Sequence, residues 1–218
     1  MAGQAVAEVA EGGGVLAWLK RVGVEPESSP PSLVGGLALA PPVLASLLLF
    51  RLTALEVLAV AVAAGLAAHL AARLLGQPLD GSPLLPALVG TALVGSGAPL
   101  PWAAAVAVAA AAFELGRARF VPAARLQVGL LAYALVLLLS GGAPAVYQTP
   151  AGVRMAEPIR LWLQLGGGGQ APVDPVRLYV GNVAGPVFAT SMLAVAIGAA
   201  WLWYSRRLSL LVVLTFLA

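Results

Sequence analysis

Leu79-Asp80-Gly81-Ser82-Pro83-Leu84-Leu85-Pro86 opens the stretch that decides the fold, and that stretch runs on to Gly141-Gly142. Within it two apolar runs are divided by Ala98-Pro99-Leu100-Pro101-Trp102, and Phe120-Val121-Pro122-Ala123 stands at the foot of a third. Runs of this kind call for a bilayer, because a helix needs about 20 apolar residues to cross one. Their Pro and Gly placement predicts helices broken at membrane depth. Non-helical backbone survives there only where protein or a cavity covers it, so such interruptions either surround a bound group or pathway or are plain kinks between packed helices.

The composition agrees over the whole chain. Of 218 residues, 61% are hydrophobic and 10% charged, against roughly half and a quarter in soluble domains. The expected class is an all-α, polytopic integral membrane helix bundle. The net charge of +3 is carried by basic residues scattered singly and in pairs at the ends of apolar runs, which marks topology and not a nucleic-acid footprint. Cysteine is absent, so this chain by itself holds no disulfide, cysteine-ligated iron–sulfur cluster, thiolate zinc or c-type haem. A single histidine, His69, rules out bis-histidine haem as well. A redox group held by this chain alone is therefore organic, a flavin or a quinone.

Residues 1–32 read as a cytoplasmic tail. Val15, Leu16, Trp18, Leu19 and Val22 beside Lys20 and Arg21 suit a short surface helix, and no secretory leader pattern precedes them. Residues 33–140 carry five expected spans: Leu33–Phe50, kinked at Pro41-Pro42; Leu52–Leu75; the short segments Pro83–Ala98 and Trp102–Leu115; and Pro122–Ser140. Residues 141–177 form a long polar loop. In 178–218, Leu178–Tyr204 reads as a sixth span with Trp201, Trp203 and Tyr204 as an interfacial belt, and Leu208–Ala218 as a partial seventh. With the N-terminus inside, Lys20, Arg21, Arg73, Arg117, Arg119, Arg125, Arg206 and Arg207 fall on the cytoplasmic side. Arg51, Arg154, Arg160 and Arg177 fall opposite. The bias places the N-terminus in the cytoplasm and the 141–177 loop outside, or in the periplasm.

Four local patterns, in order, carry a family resemblance: Asp80-Gly81-Ser82; Pro99-Leu100-Pro101-Trp102; Phe120-Val121-Pro122-Ala123; and the run from Gly181-Asn182 through Gly185 to Thr190-Ser191. Together they resemble the D subunit of the Rnf electron-transport complex and the related B subunit of the sodium-pumping NADH:quinone oxidoreductase, over roughly 33–218. The resemblance implies a helical subunit of a membrane redox complex, working with other membrane subunits and carrying FMN on a Thr-Pro loop at the outer face. Thr149-Pro150 falls at that place, with Val146, Tyr147 and Gln148 where the family has Ser-Gly-Ala. Val121 replaces the Asn of Phe-Asn-Pro-Ala, and Ala189 replaces an intramembrane Glu.

The candidate cofactor-binding residues are thus Thr149 for FMN attachment, and Asp80, Phe120, Pro122 and His69 around a flavin or quinone. Each has a plainer use. Thr149 is also a loop threonine before a proline, and Asp80 a helix N-cap with Gly81 and Ser82. Glu114 and Arg117, three residues apart, suit a helix-surface ion pair as well as proton transfer. His69 can bond a quinone carbonyl or simply another helix. No catalytic triad, metal cluster or carboxylate pair can be assembled, and the Gly166–Gly169 run lacks the Gly-Lys-Ser/Thr of a phosphate loop. Two functional readings stand: a redox-complex subunit that holds a flavin or quinone or acts as a scaffold without its own cofactor, and a small-solute transporter or channel built on the same broken helices.

Overall fold

The structure, a computed structural model, describes residues 30–76, 82–122, 126–155, 163 and 174–209. The expected surface helix before residue 23, Asp80 and the Gly166–Gly169 run lie outside the described residues. Among the described residues seven α-helices follow in order: α1 Pro31–Phe50, α2 Leu52–Leu74, α3 Leu84–Ala92, α4 Leu100–Phe120, α5 Val128–Leu139, α6 Pro175–Val180 and α7 Met192–Tyr204. A short 3₁₀ turn, Ala143–Ala145, sits between α5 and α6. Among the described residues the fold is helical, broken only by isolated bridges such as Gly95 with Pro186.

Among the described residues three helices, α1, α2 and α4, are long and apolar enough to cross a membrane. At 1.5 Å per residue, α4 alone spans about 31 Å, the thickness of a hydrocarbon core. The helices also put their bulk on the outside. The buried face of α1 is Val34, Ala38, Pro42, Ser46 and Phe50, one residue per turn, and that of α2 is mostly Ala and Gly. Outward lie large apolar chains such as Leu48, 80% exposed, and Leu138, 78% exposed. Helices apolar on every face suit a solvent of lipid, where small residues let backbones approach and leucines meet acyl chains. The chain is built as a membrane-embedded helix bundle.

The short elements differ from the sequence expectation in four places, the first being Pro83–Ala98, which is helical only over Leu84–Ala92. Trp102–Leu115 is the middle of the full-length α4, because Leu100-Pro101 start the helix at positions where a missing N–H costs nothing. Pro122–Ser140 is helical only from Val128. Leu178–Tyr204 is not one span: it divides into α6, a non-helical run from Gly181 to Ser191, and α7, with Ser191 accepting a capping bond from Ala194 N–H at 3.3 Å. α1, by contrast, continues through Pro41-Pro42.

The prolines of α1 have a packing use. Having no N–H, Pro42 leaves the Ala38 carbonyl without its helical donor, and that carbonyl faces Gly198 of α7 so closely that a Cβ on Gly198 would lie 2.2 Å from it. Four residues toward the start of α1, the Trp201 indole donates to the Val34 carbonyl at 3.2 Å. α1 and α7 are thereby joined along their length. On the other side, α3 packs among α2, α4 and α5.

Arg51 is the sole residue between α1 and α2, at φ 47° and ψ −110°. A side chain there is strained by about 1–3 kcal/mol, while glycine adopts such a conformation freely. Arg51→Gly is expected to stabilise the fold by about 1 kcal/mol after glycine's larger unfolded-state entropy is subtracted, raising the melting temperature in detergent.

Candidate functional site

α3 is nine residues long, about 13 Å, and cannot cross a bilayer. The chain leaves it at Leu93 and returns to helix only at Leu100, so 93–99 exposes backbone donors and acceptors in an apolar interior. Two other interruptions complete them. From the 3₁₀ turn and the residues after it, the Pro144 carbonyl accepts from Gly95 N–H at 2.8 Å and the Val146 carbonyl from Gly97 N–H at 2.9 Å. From the run between α6 and α7, the Gly185 carbonyl accepts from Ser96 N–H at 3.2 Å. In return, Val187 N–H donates to the Val94 carbonyl at 2.8 Å and Phe188 N–H to the Ala92 carbonyl at 3.2 Å.

Side chains close the rest of this junction. The Ser96 hydroxyl donates to the Gln148 carbonyl at 2.7 Å and accepts from Gln148 N–H at 3.1 Å, clamping the 143–149 loop in both directions. Ser46 of α1 donates to both the Pro42 and Val187 carbonyls, and Thr190 to the Pro186 carbonyl. Around them packs a core of Phe50, Ala54, Val57, Val94, Val106 and Phe188. Val94 and Ser96 are buried. Unpaired backbone groups in lipid would cost several kcal/mol each, which is why three interruptions far apart in sequence meet at one point.

Thr149 stands at the edge of this junction, one residue beyond the Ser96 clamp. Its N–H donates to the Val153 carbonyl at 2.9 Å, its carbonyl accepts from Gly152 N–H at 2.8 Å, and its hydroxyl oxygen accepts from Val153 N–H at 3.2 Å. The side chain is half-buried and serves as the acceptor of its own turn.

The other candidates do not join it. Phe120 is 81% exposed at the end of α4, and Pro122 follows it with its carbonyl accepting from Arg117 at 3.2 Å. Here Glu114 and Arg117 form a two-point ion pair, Nε to Oε2 at 3.0 Å and Nη2 to Oε1 at 2.6 Å. They line a cavity of about 650 Å³ with Ser82, Pro122 and Gln127. His69 lies on α2; its Nδ1 is buried and lacks a hydrogen-bond partner. No group of three or more His, Cys, Asp or Glu that could hold a metal occurs among the described residues.

The sequence patterns thus separate spatially. The Pro99 turn, the Tyr147–Pro150 loop and the Gly181–Ser191 run belong to the junction, while Ser82, Pro122 and the Glu114–Arg117 pair share a cavity with the first turn of α1. Reading by residue type missed Ser46 and Ser96, the two hydroxyls that hold the junction together. Ser96 had a signal in the triplet Gly95-Ser96-Gly97, too small and polar for an apolar run of that length; Ser46 had none. Comparison of the chain with protein-family models and with curated proteins gave no match.

Proposed function

We propose that the chain is a membrane subunit of a redox assembly that serves as a scaffold for partner subunits and carries no flavin of its own. The observation that supports this reading is the sealed junction. Its non-helical backbone is completed by the chain's own carbonyls, amides and hydroxyls, which leaves a dry, fixed interior suited to holding neighbours at set distances. The Thr149 hydroxyl is already the acceptor of its turn, and the residues before it are not those of the flavin-carrying loop that it resembles. Protein of this kind supplies positioning and insulation, while cofactors elsewhere carry the chemistry. The same reading keeps the N-terminus cytoplasmic and the 141–155 loop on the outer face of a bacterial-type inner membrane.

The test is purification from its native membrane under mild detergent, with optical spectra and intact mass. The expected result is a colourless chain of unmodified mass, recovered with other membrane subunits that hold the chromophores. A mass increment of one FMN that disappears in Thr149→Val would overturn the scaffold reading in favour of a flavin carrier. Solute uptake by vesicles holding the chain alone would replace both with a transporter.

A further inference from the structure

A second cavity, of about 580 Å³, lies between α1, α3 and α7, away from the Thr149 turn. Its walls are almost wholly apolar, among them Gly35, Leu85, Val89, Val195 and Ala199. It extends along α1 from Pro31 to Pro42, about 16 Å at helical rise. The inner end is closed by Ala92 and Phe188, the last residue of α3 and one of its junction partners. At the other end stand Pro31, Gln127 and Arg207.

We infer that this slot takes an acyl chain of an anionic phospholipid, with the lipid phosphate at Arg207. Three observations carry the inference. The slot is long and lined almost wholly by apolar groups, so it suits a hydrocarbon chain better than a compact polar solute. Its cation stands only at the end where the first turn of α1 and the last residues after α7 meet, the place of a headgroup. A guanidinium presents five N–H donors in a planar fork that matches phosphate, and Arg207 is exposed at this end of the slot. A quinone, whose head is neutral, has no need of a cation there. Ala38 and Gly198, which meet where α1 and α7 touch, both line the slot, so an occupying chain also packs against the seam between these helices. The proposal is independent of what the chain carries at Thr149.

The test uses the purified full chain in vesicles of phosphatidylcholine alone and of phosphatidylcholine mixed equally with phosphatidylglycerol. Thermal unfolding is read in both, and lipid retained after detergent purification is identified by mass spectrometry. The expected result is retained phosphatidylglycerol-class lipid and a melting temperature about 3 °C higher in the mixed vesicles. Arg207→Gln and Ala199→Trp, the second of which fills the slot without changing charge, each abolish retention and the shift. Arg206→Gln, one residue away but outside the slot, keeps both. Equal melting in the two vesicles, a retained quinone in place of phospholipid, or an equal loss in Arg206→Gln and Arg207→Gln would overturn the inference. So would an equal shift produced by inorganic phosphate alone. Should Ala199→Trp fail to fold, the contrast between the two arginines decides the matter.

Discussion

Gly95→Ala is expected to cost about 3 kcal/mol or more and to remove most of the folded protein from the membrane fraction. One methyl group suffices because a Cβ at this position would lie 2.1 Å from the Val146 carbonyl oxygen and 2.7 Å from its carbon. Both are backbone atoms and cannot rotate away. To admit the methyl, the 143–149 loop must lift, which breaks the Gly95–Pro144 and Gly97–Val146 bonds and the Ser96 clamp together. Gly36→Ala in α1 is the control. Nothing lies within 4 Å of a Cβ there, and alanine's helix preference makes the change neutral or stabilising by up to about 1 kcal/mol. Melting of the two variants in one detergent tests the claim, and similar behaviour would mean that the three interruptions do not meet as described.

Removing one partner of the Glu114–Arg117 pair carries the other large effect. Glu114 is 6% exposed, and Arg117 reaches both its carboxylate oxygens and the Pro122 carbonyl. Glu114→Leu leaves a largely buried guanidinium with the carboxylate that holds it at two points gone. Breaking buried pairs costs about 3–5 kcal/mol; because the Arg117 side chain is 21% exposed, a loss of about 2–3 kcal/mol is expected. Replacing both residues, Glu114→Leu with Arg117→Met, recovers most of it, since two apolar groups avoid the desolvation that the pair had to overcome. A double-mutant cycle read by denaturation measures this coupling. A coupling near zero would show a solvated surface pair.

The long elements were legible because length and hydropathy suffice for them: Leu52–Leu75 and Leu33–Phe50 match α2 and α1 almost to the residue. The Glu114–Arg117 pair was legible from helical spacing alone. The broken segments were harder for a physical reason. Gly181 to Ser191 lies inside a run apolar enough to read as one span; Gly181-Asn182 and Gly185-Pro186 interrupt it, but its partners at Ala92, Val94 and Ser96, some ninety positions earlier, fix the path it takes. The hydropathy of Trp102–Leu115 likewise understates α4, whose last turn is polar, with Arg117 and Arg119, yet still helical. Among the candidate residues, Thr149 lies beside the interruptions, next to the Ser96–Gln148 clamp, a neighbourhood that its place in a polar loop does not announce. Phe120 was singled out by the motif it opens and His69 by residue type, and neither tells a side chain's neighbours.

The brevity of α3 bears on how the protein is made. A nine-residue segment followed by exposed amides has no stable place in lipid until the segments that complete it arrive, and the last of them, at Phe188, leaves the ribosome roughly ninety residues after Gly95. At ordinary translation speeds that interval is about 5–20 s. During it the growing polypeptide needs shelter from the insertion machinery or a chaperone, so stalling or early termination between the two sites would yield a product fit for degradation, not a smaller working unit.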